Sequence, residues 1–180
     1  MLSSNNLAVS VLATAAMALA IGTFAGTAHA QQPLVVEGVV TAPVESVWNA
    51  FTTPAGLESW MVAHASVDLR IGGTIRTAYA PAATLGDAST IESTILAYEP
   101  GRMLATRVSK TPAGFPYPNA VRRMWTVVYF ESVDPNATRV RQVSMGFGTD
   151  EESVKMREFF DRGNAFTLAE LKKRFASAQH

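Results

Sequence analysis

The sequence predicts an α+β domain in which an antiparallel sheet packs one face against a single long C-terminal helix. Three observations carry this. Apolar residues mark one strand and two short helical stretches, then keep a period of two from about residue 64 to residue 147. The breaks in that run are turn clusters at hairpin spacing: Gly72-Gly73, residues 80–88, Pro100-Gly101 and Asp134-Pro135-Asn136. The chain then closes on a helical period of roughly 26 residues, about 39 Å at 1.5 Å per residue. Consecutive strands followed by one helix give an antiparallel sheet with the helix on one face.

Residues 1–30 stand apart. They hold no charged side chain, carry an apolar run from Leu7 to Phe24, and end Ala28-His29-Ala30. This reads as a signal peptide cut after Ala30, leaving one domain of residues 31–180 in the periplasm or secreted. The missing Lys or Arg in the first residues makes an uncleaved membrane anchor the alternative. After cleavage no stable membrane insertion is expected. The chain has no cysteine, which excludes a disulfide framework and a lipid-modified cysteine. Fifteen basic residues balance fifteen acidic ones, so nothing steers the protein toward nucleic acid. Asn136-Ala137-Thr138 matches a glycosylation sequon but reads as turn chemistry.

In chain order, Leu34 to Thr41 is a valine-rich strand between Pro33 and Pro43. Pro43 suits a first helical position, and Val44, Val47, Trp48 and Phe51 share a helix face. Thr52 or Thr53 can cap a second short helix that opens at Pro54 and runs through Leu57, Trp60 and Met61. Strands are expected at His64–Ile71, Thr74–Tyr79, Thr90–Tyr98, Met103–Val108, Met124–Glu131 and Thr138–Phe147. The segment Lys110 to Arg123 has three prolines with Phe115 and Tyr117, and a loop of this length is usually functional or disordered. Its aromatics either fold over an opening or cover the sheet edge.

The last helix is expected over Thr149 to Phe175. Thr149 with Glu152 reads as a capping box, and Glu151, Glu152 and Lys172, Lys173, Arg174 complement the helix dipole. Met156, Phe160, Gly163, Thr167 and Leu171 recur as one stripe, with Leu168 and Phe175 beside it and Phe159 and Phe166 on its flank. Gly163 mid-helix costs about 1 kcal/mol relative to alanine. Either it allows close packing of helix on sheet, or the helix roofs a cavity in which Asn164 is a polar handle.

The inventory of reactive groups is thin. Once residues 1–30 are removed, His64 and His180 are the histidines, so a cysteine-ligated zinc site is excluded and a Ser–His–Asp triad is improbable. No cofactor is expected. Asp68 and Arg70 share a strand face as a local ion pair. Gly72-Gly73 is a hairpin turn without the Lys-Ser/Thr of a phosphate loop. Glu92 alternates with Thr94, Leu96 and Tyr98 on one face, opposite Ile91, Ser93, Ile95 and Ala97. Arg107 should point outward. Trp125, Val127 and Tyr129 oppose Thr126, Val128 and Phe130, and both sets are apolar enough to be the inner one.

The stretch 42–54, APVESVWNAFTTP, followed by Leu57 and Trp60, resembles the opening signature of the SRPBCC (START-like, birch-allergen-like) superfamily. The likeness is closest to the branch related to the C-terminal domain of the Hsp90 ATPase activator. Asp68-Leu69-Arg70-Ile71-Gly72-Gly73, Tyr98-Glu99-Pro100-Gly101-Arg102-Met103-Leu104, Thr138-Arg139-Val140, and Gly163 with Leu168 and Leu171 extend it along the chain in order. The resemblance implies a helix-grip fold, a curved sheet wrapped around the C-terminal helix with a cavity between them. It also implies that Leu96 and Tyr98 point inward, which would carry Glu92 in with them, where burial would raise its pKa. Many relatives have Trp after the helix glycine. Asn164 here implies a wetter or larger cavity. Export sets the chain apart from the cytosolic activator, because an Hsp90-type ATPase and its ATP are not expected there.

The expected function is therefore binding of a small apolar or amphipathic molecule between sheet and helix. Trp60, Tyr79, Leu96, Tyr98, Met145, Phe160 and Leu171 would form the walls, with Asn164 orienting the ligand. The alternatives are a cyclase- or hydrolase-type enzyme of the superfamily using Glu92 or Asp68, and a protein-interaction module with a filled core. The ligand and the oligomeric state are not legible in the sequence.

Overall fold

The computed structural model describes residues 32–176; the signal peptide, the cleavage after Ala30 and His180 lie outside the described residues. The elements run β1 (Leu34–Val40), α1 (Val44–Thr52), α2 (Pro54–Glu58), β2 (His64–Val67), β3 (Thr74–Ala78), β4 (Ile91–Glu99), β5 (Met103–Lys110), β6 (Trp125–Asp134), β7 (Ala137–Met145) and α3 (Glu151–Ala176). A 3-10 turn at Ala120–Arg123 precedes β6. All seven strands form one antiparallel sheet in the order β1-β7-β6-β5-β4-β3-β2. Five of its pairings are local hairpins. The sixth joins the two ends of the domain, from Leu34 opposite Ser144 to Val40 opposite Thr138. Side-chain alternation then gives the sheet an inner face toward α3 and an outer face where Glu37, Arg139, Arg141 and Glu131 pair with one another.

The expected order of elements holds, with shifts at the ends. The strand expected over His64–Ile71 stops at Val67, because Asp68 to Gly73 turn back on themselves through Arg70 N–H to Asp68 O and Gly73 N–H to Arg70 O. Thr53 caps α2 by accepting from the Gly56 amide at 3.0 Å. At the start of α3 the cap is Asp150, not Thr149. Its carboxylate accepts from the Ser153 amide at 3.0 Å and from the Ser153 hydroxyl, while the Arg123 guanidinium lies against it. Glu152 does not close a box either. It reaches across to accept from the amides of Asn119 and Ala120, pinning the 3-10 turn to the helix.

Both carboxylates are held below the usual range. The Ser153 amide is the largest cause for Asp150, and the Ala120 amide for Glu152. Groups lowered in the folded state contribute fully above the unfolded carboxyl pKa, and the contribution is lost as pH falls through the lowered folded value. Asp150→Asn should accordingly reduce the melting midpoint at neutral pH, and the gap to the parent should narrow in acid. Circular dichroism melts across pH check this; a gap independent of pH would remove the carboxylate from the explanation.

Two apolar clusters form on the inner face. One gathers Val40, Val47, Trp48, Leu57, Ile95, Leu104, Phe130 and Leu171 beneath α1 and α2. Trp48 and Phe51 both meet the Phe130 ring edge-on, with ring centres 5.5 and 5.2 Å apart. The other gathers Leu34, Ala120, Val121, Met124, Phe147 and Met156 under the start of α3.

Candidate functional site

Between the two clusters lies a cavity of about 530 Å³. Phe51, Leu57 and Met61 bound it on the side of the first cluster, and Val121, Met124 and Phe160 on the side of the second. Strand alternation decides which sheet residues reach it. On β3, Ile75 and Thr77 face in, and Tyr79 continues the row just past the strand. On β5 the row is Leu104, Thr106 and Val108, and on β6 it is Thr126 and Val128, so the open question about β6 resolves toward the threonine face. Trp125 lies on the outer face with the Arg107 guanidinium 5.9 Å from its ring centre.

On β4 two register shifts, between Glu92 and Ser93 and between Ile95 and Ala97, set the faces. Ser93 and Ile95 point in opposite Val108 and Thr106, while Leu96 is the extra residue of the second bulge and is 36% exposed. Beyond it the alternation resumes in opposite phase, and Tyr98 returns inward opposite Leu104.

This geometry corrects several expected wall residues. Tyr79, Phe160 and Asn164 line the cavity as expected from the sequence. Leu96 does not, because the bulge turns it out. Tyr98 faces in but is consumed by the first cluster, 6.5 Å from Trp48 between ring centres, with its hydroxyl donating to Leu69 O. Met145 pairs with Trp125 on the outer face. Trp60 and Leu171 line a small crevice of about 10 Å³ next to the cavity. Glu92 is carried to the outer face, where it meets Arg76 at 3.5 Å and Lys110 at 4.0 Å. Asp68 pairs with Arg70 at 2.8 Å on the surface. Neither carboxylate reaches the cavity. Gly163 is exposed, and a Cβ there would meet nothing within 4 Å, so the close packing that a mid-helix glycine suggests is not present.

Sequence reasoning missed the polar lining. Thr106 and Thr126 are cross-strand partners, as are Thr126 and Ser144, so three hydroxyl residues stand in a row across β5, β6 and β7. The Thr126 and Ser144 hydroxyls are 3.0 Å apart, and the row ends beneath Asn164, whose amide nitrogen is a long 3.5 Å from the Ser144 hydroxyl. Asn164 is 7% exposed and Thr77 8%. Among the described residues, the remaining amide oxygen of Asn164 and the hydroxyl of Thr77 have no hydrogen-bond partner. The usable signal was Tyr79: once it faces in, the alternation takes Thr77 with it.

The mouth is aromatic. Phe115 packs edge-on to Phe159 and Tyr117 on the 110–123 segment, so those aromatics fold against α3 at the cavity rather than over the sheet edge. Phe159 is 42% exposed and Tyr79 61%. Local burial nevertheless raises the Tyr79 hydroxyl's pKa above its ordinary value. The connection from β3 to β4 is organised by Asp87. The Ser89 hydroxyl and then the Thr84 and Ser89 amides hold its carboxyl down from 3.8 to about 2. His64 is not among the lining residues; its Nε2 lies 2.9 Å from Pro81 O. No charged side chain among the described residues lines the cavity. They also contain no group of three or more His, Cys, Asp or Glu placed to hold a metal, and no helix long and apolar enough to cross a membrane.

An open antiparallel sheet, a helix pair after its first strand and a long terminal helix are the features of the SRPBCC helix-grip domains, and this is one of them. The chain belongs to the Activator of Hsp90 ATPase homolog 1-like protein family, whose model matches residues 41–176. It is similar to a crystal structure of a protein from Mesorhizobium loti, at 18% identity and a TM-score of 0.63, covering 81% of this chain and 98% of that one. It is also similar to the Aha1 dimer from Colwellia psychrerythraea, at 17% identity and a TM-score of 0.62, covering 81% and 96%. An AHSA1-like protein from Aeromonas hydrophila matches at 18% identity and a TM-score of 0.60, covering 82% and 94%. At such identities the likeness speaks for the fold. No curated protein matches the chain in sequence.

Proposed function

We propose that this protein is an exported domain that holds a small hydrophobic or amphipathic molecule in the cavity between sheet and α3. The observation that carries this is a cavity of about 530 Å³ whose walls are largely apolar, with a few uncharged polar groups and no charged side chain among its lining residues. Its size falls in the roughly 300–1,000 Å³ range of small-molecule sites. A ligand group set against one of these polar groups exchanges hydrogen bonds to water for a bond to the protein, a net gain of about 0.5–1.5 kcal/mol each. Export rests on the composition of residues 1–30.

The geometry favours binding over acid–base catalysis, since Glu92 and Asp68 both lie outside the cavity, tied to basic side chains. It also speaks against an interaction module with a filled core.

Native mass spectrometry of the protein, expressed with its own leader and taken from the periplasmic fraction, tests both parts. An intact mass matching residues 31–180 supports export with cleavage. A reproducible extra mass that denaturation removes supports binding. A bare mass, together with no saturable uptake of the neutral dye Nile red, would sink the binding reading.

A further inference from the structure

One part of the cavity lining is polar. Thr106 and Thr126 are cross-strand partners on β5 and β6, Gln142 follows on β7, and Asn164 of α3 faces the cavity beside them at 7% exposure. The rest of the buried lining is largely apolar, with Leu57, Leu104, Val121 and Met124, and its exposed residues are the aromatics Tyr79 and Phe159. A molecule that matches this lining turns its polar group to the polar strip and its apolar body to the remaining walls.

The chemistry of that strip then limits the polar group. Asn164, Thr106, Thr126 and Gln142 are neutral. They supply hydroxyl and amide groups that can both donate and accept, but no full charge. On the far side of the sheet Arg76, Glu92 and Lys110 compensate one another. A carboxylate or ammonium brought to the strip would lose its hydration with no counter-charge to replace it, which is far costlier than burying a hydroxyl or carbonyl that finds a partner.

Building on the reading of the cavity as a binding site, we infer that its ligand is an uncharged amphiphile. Its hydroxyl, carbonyl or amide group is buried against Asn164, Thr106 and Thr126, and its apolar body lies toward Phe159 and Tyr79. The site selects against fatty acids and cationic amphiphiles of the same chain length. The head group would complete the hydrogen bonding of the Asn164 amide, which in the protein alone has the long Ser144 contact.

The test is displacement of Nile red from the purified protein by decanol, decanoate, decyltrimethylammonium and decane, each kept below its aggregation threshold. Decanol should compete at concentrations about tenfold or more below either ion. Asn164→Leu, close in size but without the amide, should weaken decanol about fivefold or more and leave decane unchanged. If that variant does not fold by circular dichroism, Thr106→Val carries the same readout. Decanoate competing as well as decanol would overturn the inference, because the head group would then sit in solvent. So would a folded Asn164→Leu or Thr106→Val that binds decanol as the parent does. If Nile red binds but no decyl compound displaces it, the neutral-amphiphile class is wrong while the cavity remains a binding site. If neither the dye nor any decyl compound binds, the binding reading itself falls, and this inference with it.

Discussion

Gly146→Ala is expected to cost about 3 kcal/mol and to lower the melting midpoint by roughly 6–12 °C. Gly146 joins β7 to α3 with φ at 88°, a region that side chains rarely adopt. Space is the larger problem. A Cβ there would collide with the Arg123 carbonyl oxygen and lie 2.9 Å from Trp125 Cζ3. Arg123 ends the 3-10 turn and Trp125 opens β6, so relief requires the backbone to move. The movement would reach the cavity, because Met124, which lies between Arg123 and Trp125, is one of its lining residues.

Gly114→Ala serves as the control. Gly114 also has a positive φ, of 75°, but nothing lies within 4 Å of its missing Cβ. That substitution should cost only the backbone strain, on the order of 1–2 kcal/mol. Thermal melts of the two variants distinguish crowding from strain. Equal losses would show that the contact with Arg123 contributes nothing.

Asn164→Trp should abolish most binding without harming the fold. Asn164 is buried over β7 and lines the cavity, so an indole there projects into about 530 Å³ of available space. Filling that space with an apolar group removes a buried amide whose hydrogen bonding is incomplete, which favours the folded state. The same indole occupies the place where a ligand would lie. Nile red affinity is expected to fall about tenfold or more while the melting midpoint holds or rises. A folded variant with parental affinity would move the binding site elsewhere. A poorly folded one would mean that the cavity is narrower at α3 than its lining indicates.

The arrangement of strands and helices was legible because each element carries a strong local signal. Valine-rich alternation, Thr53 before Pro54 and the long helical period all act over a few residues, and the structure keeps them. The cavity was legible in part. Phe160 and Asn164 followed from the 3.6-residue period of α3, which tolerates no phase error over so short a span. Tyr79 followed from an uninterrupted strand. Leu96 and Glu92 were misplaced because a bulge is one extra residue with no composition of its own, and it reverses the faces beyond it. Trp60 and Leu171 are inward, as expected, but whether an inward residue meets a cavity or a neighbour depends on packing from distant elements. Asp150 displaced Thr149 as the cap because its carboxylate accepts from the Ser153 amide three residues on, a local signal that competes directly with the Thr149–Glu152 pair.

The division of the interior into two apolar clusters has a thermodynamic corollary. Side chains such as Ile95 in the first and Met156 in the second belong to separate groups, with the cavity between them. Defects in separate, non-contacting groups tend to add independently. A molecule wedged between the clusters would touch both and behave as a keystone, making damage on one side felt on the other. Occupancy would then set how cooperatively the domain melts, as well as how stable it is, with stability rising as the logarithm of ligand concentration over the dissociation constant.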